Sequence, residues 1–304
     1  MSIQRRDFIK VTAAGLAALT VGRAKANDTE NYLTNANPYG VLVDTAVCVG
    51  CRKCELACDK ANTHSGRPQS SFDDKSVFTK HRRPADNAFT VVNTFKDPRH
   101  VDKNYFMKVQ CMHCLQPACA SACIVGALRK DERGPVTYDA WKCIGCRYCM
   151  VACPFQIPAY EYDNALNPRV RKCTFCFERV TAEGKRPACV EICPNEALTF
   201  GTREELIETA HERIKQSPDL YVDHVYGEHE AGGTSWIYLA PAEFKHTELP
   251  ALTASVIPDL TESIQHGIFK GFVPPLLLAG LLGLAMHSLK DKDESREEVT
   301  RHER

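Results

Sequence analysis

Residues 143–154 read Cys143-Ile-Gly-Cys146-Arg-Tyr-Cys149-Met-Val-Ala-Cys153-Pro154. The two-residue gaps let one tight loop aim three thiolates at three iron atoms of a single [4Fe–4S] cube. Gly145 allows the backbone to approach closely, so that amide N–H groups can donate hydrogen bonds to sulfur. The fourth cysteine follows on a helix that points away, and it therefore serves a neighbouring cluster. The run predicts iron–sulfur clusters that occur in pairs.

Three further groups share this skeleton, and all sixteen cysteines of the 304-residue chain lie between residues 48 and 193. Groups two and four have four and twelve residues between their second and third cysteines. The members are Cys48, Cys51, Cys54 and Cys58 in group one; Cys111, Cys114, Cys119 and Cys123 in group two; Cys143, Cys146, Cys149 and Cys153 in group three; and Cys173, Cys176, Cys189 and Cys193 in group four. Four complete groups imply four [4Fe–4S] clusters as cofactors, with the sixteen cysteines as iron ligands.

The overall composition is that of an ordinary globular protein. Hydrophobic residues make up 44% of the chain, and 38 basic residues balance 38 acidic ones. This composition excludes a wholly disordered chain and a polytopic membrane protein. There is also no basic excess that would release counterions from nucleic acid, so we expect no nucleic-acid partner.

The N-terminal residues 1–26 predict a twin-arginine export signal. Arg5 and Arg6 precede Asp-Phe-Ile-Lys, a mild apolar run follows, and Ala24-Lys-Ala26 fits a small-x-small cleavage pattern. Such signals are read by the twin-arginine translocation machinery. The other interpretations are an ordinary secretory signal or an N-terminal anchor.

The uncharged run at residues 271–289 predicts a single transmembrane anchor near the C-terminus. As a helix, nineteen residues would span roughly 28 Å, close to the hydrocarbon thickness of a bilayer. The charged residues 290–304 would then form a cytoplasmic tail. The alternatives are a buried helix of the main domain or a re-entrant hairpin.

Disulfide bonds and zinc are the alternative uses of so many cysteines. Export after folding would give the cysteines their metal before they reach an oxidising compartment, which argues against disulfides. Zinc takes two Cys-x2-Cys pairs and does not account for a third cysteine at two-residue spacing or for Cys-Pro. A structural disulfide- or zinc-rich exported protein is therefore the weaker class of function.

Three motifs carry a resemblance to a known family. They are Gln110-Cys-Met-His-Cys114, the Arg133-Gly-Pro-Val segment that leads into group three, and Cys193-Pro-Asn-Glu-Ala-Leu198. Together they resemble the four-cluster subunits of bacterial respiratory oxidoreductases, over residues 38–245. Within that family, the iron–sulfur subunit of membrane-bound, quinone-linked nickel–iron hydrogenase is most similar, because it combines a signal of its own, four groups and one C-terminal anchor. Iron–sulfur subunits of formate dehydrogenases and molybdenum reductases are the alternative.

The resemblance implies how the groups share their ligands, with group one paired to four and group two paired to three. Each cluster would take three cysteines from one group and one from its partner. The implied ligands are Cys48, Cys51, Cys54 and Cys193 (set A); Cys58, Cys173, Cys176 and Cys189 (set B); Cys111, Cys114, Cys119 and Cys153 (set C); and Cys123, Cys143, Cys146 and Cys149 (set D). Asp59 and Ile124 depart from the pattern, because they stand where a proline can follow the fourth cysteine.

The expected fold is α+β, with two ferredoxin-like [4Fe–4S] dicluster modules of short βαβ units with insertions, plus a single C-terminal transmembrane helix. The expected domains are the signal at 1–26, a four-cluster domain at 27–245 that joins 48–58 to 173–193 and 111–123 to 143–153, a linker at 246–270, the anchor at 271–289 and the tail at 290–304.

The resemblance also implies an electron-transfer subunit with no catalytic residues of its own. Electrons would pass between a periplasmic catalytic subunit, of which the small and large subunits of hydrogenase are the first choice, and an integral membrane quinone-reactive subunit. The protein would then lie on the periplasmic side of the bacterial inner membrane, held by its single C-terminal anchor.

Several features outside the cysteines complete the prediction. Residues 59–107 form an insertion that either docks a partner or covers the clusters, with a strand expected from Phe89 to Phe95. Thr202 and Glu205 have the spacing of a capping box that opens a helix toward Lys215. Cations that crowd the cysteines would offset cluster charge and raise reduction potentials. These cations are Arg52, Lys53, Lys108, Lys142, Arg147, Arg171, Lys172, Lys185 and Arg186.

Overall fold

The computed structural model describes residues 37–62, 66–258 and 280–284. In chain order the elements are β1 (Tyr39–Asp44), α1 (Lys53–Asn62), α2 (Ser70–Asp73), β2 (Val91–Asp97), β3 (His100–Val109), α3 (Ala118–Ser121), β4 (Leu128–Lys130), β5 (Val136–Tyr138), α4 (Tyr148–Ala152), β6 (Ala159–Tyr160), β7 (Val170–Arg171), α5 (Phe177–Thr181), α6 (Ala188–Glu191), β8 (Leu198–Thr202), α7 (Arg203–Gln216) and β9 (Trp236–Leu239). Short 3-10 helices lie at Ser76–Thr79, Glu230–Gly232 and Phe244–His246.

A three-stranded sheet of order β8-β1-β9 joins the two ends of the cysteine region. Strand β1 pairs antiparallel with β8 and parallel with β9, so that Val41 lies between Phe200 and Trp236. Because side chains alternate along a strand, Val41 packs into the large core beside the cysteines, whereas Leu42 faces α7 on the other side. Both faces of β1 are therefore buried.

Short helices carry the cysteines in two packed pairs. Helix α1 packs against α6, and α3 packs against α4. The remaining strands form three separate two-stranded antiparallel sheets, β2-β3, β4-β5 and β6-β7. This pairing of cysteine-bearing helices is the ferredoxin-like part of the fold.

Helix α7 confirms the predicted capping box. It begins at Arg203, and the Glu205 carboxylate accepts a hydrogen bond of 3.3 Å from the Thr202 backbone N–H. Leu206, Ala210 and Ile214 recur at helical spacing and are buried against the central sheet. The helix ends at Gln216, one residue beyond the expected Lys215.

Two parts of the expected fold class are corrected. The small modules are built from antiparallel hairpins and a mixed three-stranded sheet instead of paired βαβ units, since the strands within each hairpin are too closely spaced in sequence to admit a parallel crossover. Among the described residues, no helix is both long enough and apolar enough to span a bilayer. The longest, α7, has 14 residues and is strongly charged.

The predicted single C-terminal transmembrane anchor is therefore wrong, and so is the anchored location derived from it. Of residues 271–289, the structure describes 280–284, which are helical; the rest of the predicted anchor lies outside the described residues. The predicted signal at 1–26 also lies outside the described residues.

Candidate iron–sulfur sites

The loops of groups one and three share one unusual backbone path. Gly50 and Gly145 have φ of +63° and +72°, and Arg52 and Arg147 both have φ of +61°. Left-handed residues within a turn direct successive N–H groups into a common concavity, which is the arrangement that binds anions and iron–sulfur clusters. Each loop thus forms a cradle in which thiolates and N–H donors point the same way.

Groups two and four make similar turns without glycine. His113, Phe175 and Cys176 have φ of +48°, +60° and +50°. The fully buried His113 ring accepts a hydrogen bond of 2.8 Å at Nδ1 from the Val136 N–H and meets Phe175 edge-on at 5.1 Å. Burial holds the pKa of His113 well below its usual value. His113 thus serves here as a neutral support of the loop.

The fourth cysteines of groups two, three and four are followed by a further left-handed residue three positions later. These residues are Gly126 after Cys123, Gln156 after Cys153 and Glu196 after Cys193. The turn lets a backbone N–H return to sulfur, as Ala127 N–H does to Cys123 Sγ at 3.1 Å. Proline is present in two of these turns and absent from the third, so proline is not what makes the turn.

Group one ends differently. Cys58 lies inside α1, which continues to Asn62 without a left-handed turn. Here the Asn62 side-chain amide donates to Cys58 Sγ at 3.5 Å. A side chain therefore supplies the donor that the backbone supplies to Cys123 and Cys153.

The structure brings together members of each predicted set from different groups. Set A lines one narrow cavity and set B lines a second, and Lys108 borders both. In set C, burial raises the pKa of Cys119, and the nearby thiols of Cys111, Cys153 and Cys114 raise it further. In set D, burial raises the pKa of Cys149 to about 11, and the thiols of Cys123, Cys143 and Cys146 add to the shift.

Burial also determines the protonation of the free thiols. It raises the pKa of Cys48 to about 11 and that of Cys173 to about 12. At neutral pH these groups hold their protons in the metal-free chain. Since iron binds the thiolate, cluster insertion must release protons.

The insertion at 59–107 covers the group-one loop. The buried Arg52 guanidinium donates to the carbonyl oxygens of Ser71 and Asp74, at 2.9 and 2.7 Å. Lys75 Nζ donates to the carbonyl of Gly50 at 2.7 Å. The strand expected within the insertion is found at Val91–Asp97, two residues later than predicted at each end. Of the two interpretations of the insertion, these contacts support the covering role.

The predicted cations divide into buried and exposed members. Arg52, Lys108 and Lys172 are buried, whereas Lys53, Lys142, Arg147, Lys185 and Arg186 are exposed and Arg171 is intermediate. The sequence analysis did not single out Lys130, whose Nζ donates to the carbonyl oxygens of His113 and Gly134. Burial lowers the pKa of Lys130 to about 7. No local pattern signals this residue, because its partners are distant loop carbonyls.

The donor chemistry fits [4Fe–4S] clusters. Each set offers four sulfur atoms, and in all four sets at least one backbone N–H group donates to a cysteine sulfur. A Cβ atom on Gly50 would lie 2.5 Å from the Phe106 ring, so only glycine allows the loop to approach its cover. Among the described residues, no three Cys, His, Asp or Glu side chains converge closely enough for a single metal ion.

Converging cysteine sets on ferredoxin-like loops define an iron–sulfur electron-transfer protein. A model of the 4Fe-4S dicluster domain matches residues 102–203. The chain is 45% identical to a protein of Nitratidesulfovibrio vulgaris, over 98% of this chain and 81% of that protein.

Two further relatives are proteins of Escherichia coli. The hydrogenase-2 operon protein HybA is 36% identical, over 95% of this chain and 97% of that protein. The iron–sulfur subunit of nitrate-inducible formate dehydrogenase is 31% identical, over 86% and 89%. The chain therefore belongs to the family of 4Fe-4S electron-transfer subunits that includes these proteins.

Proposed function

We propose that sets A to D each ligate one [4Fe–4S] cluster and that the chain conducts electrons through the four clusters between two other subunits. The observation that supports this most directly is the convergence of cysteines from different groups: Cys193 joins the loop of group one, and Cys58 joins that of group four. A bound [4Fe–4S] cluster supplies one-electron oxidation and reduction.

The chain's own residues have three tasks in this function. The thiolates hold the iron, and backbone N–H groups such as that of Phe175, 3.4 Å from Cys173 Sγ, stabilise negative charge on sulfur. Buried aromatic side chains, among them Trp236 and Tyr238, keep water away from sets A and B. We also propose an export signal at residues 1–26, a four-cluster domain at 27–245 and a linker at 246–270.

The catalytic partner that we propose is a nickel–iron hydrogenase, with an integral membrane quinone-reactive subunit as the second partner. The relationship to HybA over nearly its whole length supports this choice. The iron–sulfur subunit of a formate dehydrogenase is the alternative, supported by the second relationship. Large apolar side chains stand exposed around set D, namely Ile124, Trp141, Ile144, Tyr148 and Val151, as expected of a subunit contact.

Iron and sulfide analysis tests the cluster assignment. Anaerobically purified protein should contain about 16 iron atoms and 16 sulfides, four of each per cluster. Cys58→Ser should perturb the cluster of set B and leave that of set A closer to native, because Cys58 faces Cys173 and Cys189. A stable content near eight irons in folded protein, or loss confined to set A, would contradict the assignment.

The identity of the partner is tested with the native complex. The chain should co-purify with hydrogenase subunits, and hydrogen should reduce its clusters, as followed by electron paramagnetic resonance. Reduction by formate but not by hydrogen would replace the hydrogenase with the formate dehydrogenase alternative. A folded, iron-loaded chain that neither donor reduces would contradict both.

A further inference from the structure

Lys108 is a buried lysine between two of the cysteine sets. It is the penultimate residue of β3, and only 2% of it is exposed. Its side chain borders the cavity of set A and also the cavity of set B. One side chain therefore faces two proposed clusters.

The neighbours that hold the Lys108 ammonium carry no negative charge. Nζ donates to Gln110 Oε1 at 2.9 Å and lies 4.3 Å from the centre of the Trp236 ring. Gln110 Nε2 in turn donates to the Tyr238 hydroxyl at 2.6 Å, and that hydroxyl donates to the Lys108 carbonyl at 2.9 Å. This closed network fixes the ammonium, and none of its described hydrogen-bond partners carries a negative charge.

Arg52 also borders set A, but unlike Lys108 it forms an ion pair. Its guanidinium forms a 2.8 Å ion pair with the buried Glu55 carboxylate. Arg52 thus has a carboxylate partner, which it shares with Arg82, whereas the described contacts of the Lys108 ammonium include no carboxylate. Burying an unpaired ammonium is costly unless negative charge lies nearby.

The cysteines are the source of that negative charge. Cysteines that ligate iron are thiolates, and Lys108 lines the set A cavity together with Cys54 and the set B cavity together with Cys173 and Cys189. These three cysteines come from both sets, so the charge interacts with both sites. The reduction potential of a cluster depends on nearby charge, because reduction adds an electron.

We propose that Lys108 is a shared positive charge that raises the reduction potentials of the set A and set B clusters together, and so sets them apart from the clusters of sets C and D. This inference rests on the proposed four-cluster function. It assigns Lys108 a role in tuning the relay, in addition to its packing in the core.

Redox titration of the native complex, followed by electron paramagnetic resonance, tests this role. In Lys108→Met, which removes the charge and keeps an unbranched side chain that is one atom shorter, two of the four potentials should become more negative. Lys108→Arg should keep them near the wild-type values. Lys130→Met is the matched control, because this half-buried lysine lies near Cys114 and Cys111 of set C and should leave sets A and B unchanged.

Every outcome bears on the proposal. Unchanged potentials in an iron-replete Lys108→Met protein, or equal shifts in all four clusters, would overturn it. If Lys108→Met and Lys108→Gln both lose iron from sets A and B while Lys108→Arg keeps it, the shared charge is confirmed as necessary. Loss in all three variants would reduce Lys108 to a packing role. A failure of the four-cluster function itself would be seen separately, as low iron in the wild-type protein.

Discussion

The loops of groups one and three have the same cysteine spacing and nearly the same backbone angles, yet their surroundings differ. In group one, Arg52 is buried and bound to the insertion. In group three, Arg147 is exposed and lies over the Tyr160 and Tyr162 rings, and Cys146 is the exposed member among the sixteen cysteines. The comparison teaches that the cysteine motif determines the backbone conformation of the loop. Segments distant in sequence determine how far the loop is exposed to solvent.

Removing the buried Glu55 carboxylate beneath the group-one loop should have the largest effect on the stability of the protein. Glu55 is 2% exposed, forms ion pairs with Arg52 and Arg82, and accepts a 2.7 Å hydrogen bond from the Val92 N–H. Glu55→Gln leaves two arginines uncompensated and should destabilise the protein by about 3–5 kcal/mol. The midpoint of urea unfolding, followed by cluster absorbance, measures it.

The control is the exposed ion pair near group three. Asp139 lies 3.1 Å from Lys142, and both side chains are more than 40% exposed. Asp139→Asn should shift the midpoint of urea unfolding much less than Glu55→Gln does, because exposed ion pairs contribute little to stability. Equal effects of the two substitutions would show that the cover adds no stability.

Replacing the loop glycine by alanine should have the next largest effect, and the effect on iron binding should differ between the two loops. In Gly50→Ala the new Cβ would meet the Phe106 ring at 2.5 Å, and overpacking of about 1–3 kcal/mol adds to left-handed strain of about 1–2 kcal/mol. In Gly145→Ala it would meet the end of a movable side chain, the Tyr160 hydroxyl, at 2.8 Å. We expect iron loss from set A in the first variant and much less from set D in the second.

A second substitution checks the cause. Phe106→Leu should partly restore iron binding to Gly50→Ala by removing the ring. If it does not, the clash with the insertion is not what excludes larger residues at position 50.

The order of cluster loss should follow exposure. Because Cys146 is exposed whereas Cys173 and Cys189 are buried, an iron chelator or oxygen should remove the set D cluster before that of set B. Stopped samples analysed by iron content and electron paramagnetic resonance give the order. Simultaneous loss of both clusters would mean that local exposure does not control access.

The smallest effect is expected at the exposed arginine of group three. Arg147→Gln removes cation–π contacts to Tyr160 and Tyr162, at 5.4 and 5.8 Å, which are worth about 0.5–1 kcal/mol at an exposed site. Urea unfolding should register a small shift and no change in iron content. An effect as large as that of Glu55→Gln would contradict the expectation that the exposed arginine of group three contributes less to stability than the buried ion pairs of group one.

Short sequence patterns correctly predicted the features that depend on neighbouring residues in the chain. The cysteine loops follow from their spacing, and helix α7 follows from its capping box. The cations show where this stops: Lys108 and Lys142 both stood out in sequence, but one is buried and the other exposed because different distant segments cover them. The transmembrane prediction was wrong, because no helix among the described residues is long and apolar enough to cross a bilayer.

Helix α1 ties two sites to one rigid element. Cys54 and Cys58 lie four residues apart, about 6 Å along one face of the helix, and they belong to sets A and B. A metal cube that enters either site orders this helix and so delivers a sulfur ligand, already in place, to the other. Filling of one site should therefore favour filling of the other, so that sets A and B acquire their clusters with positive cooperativity.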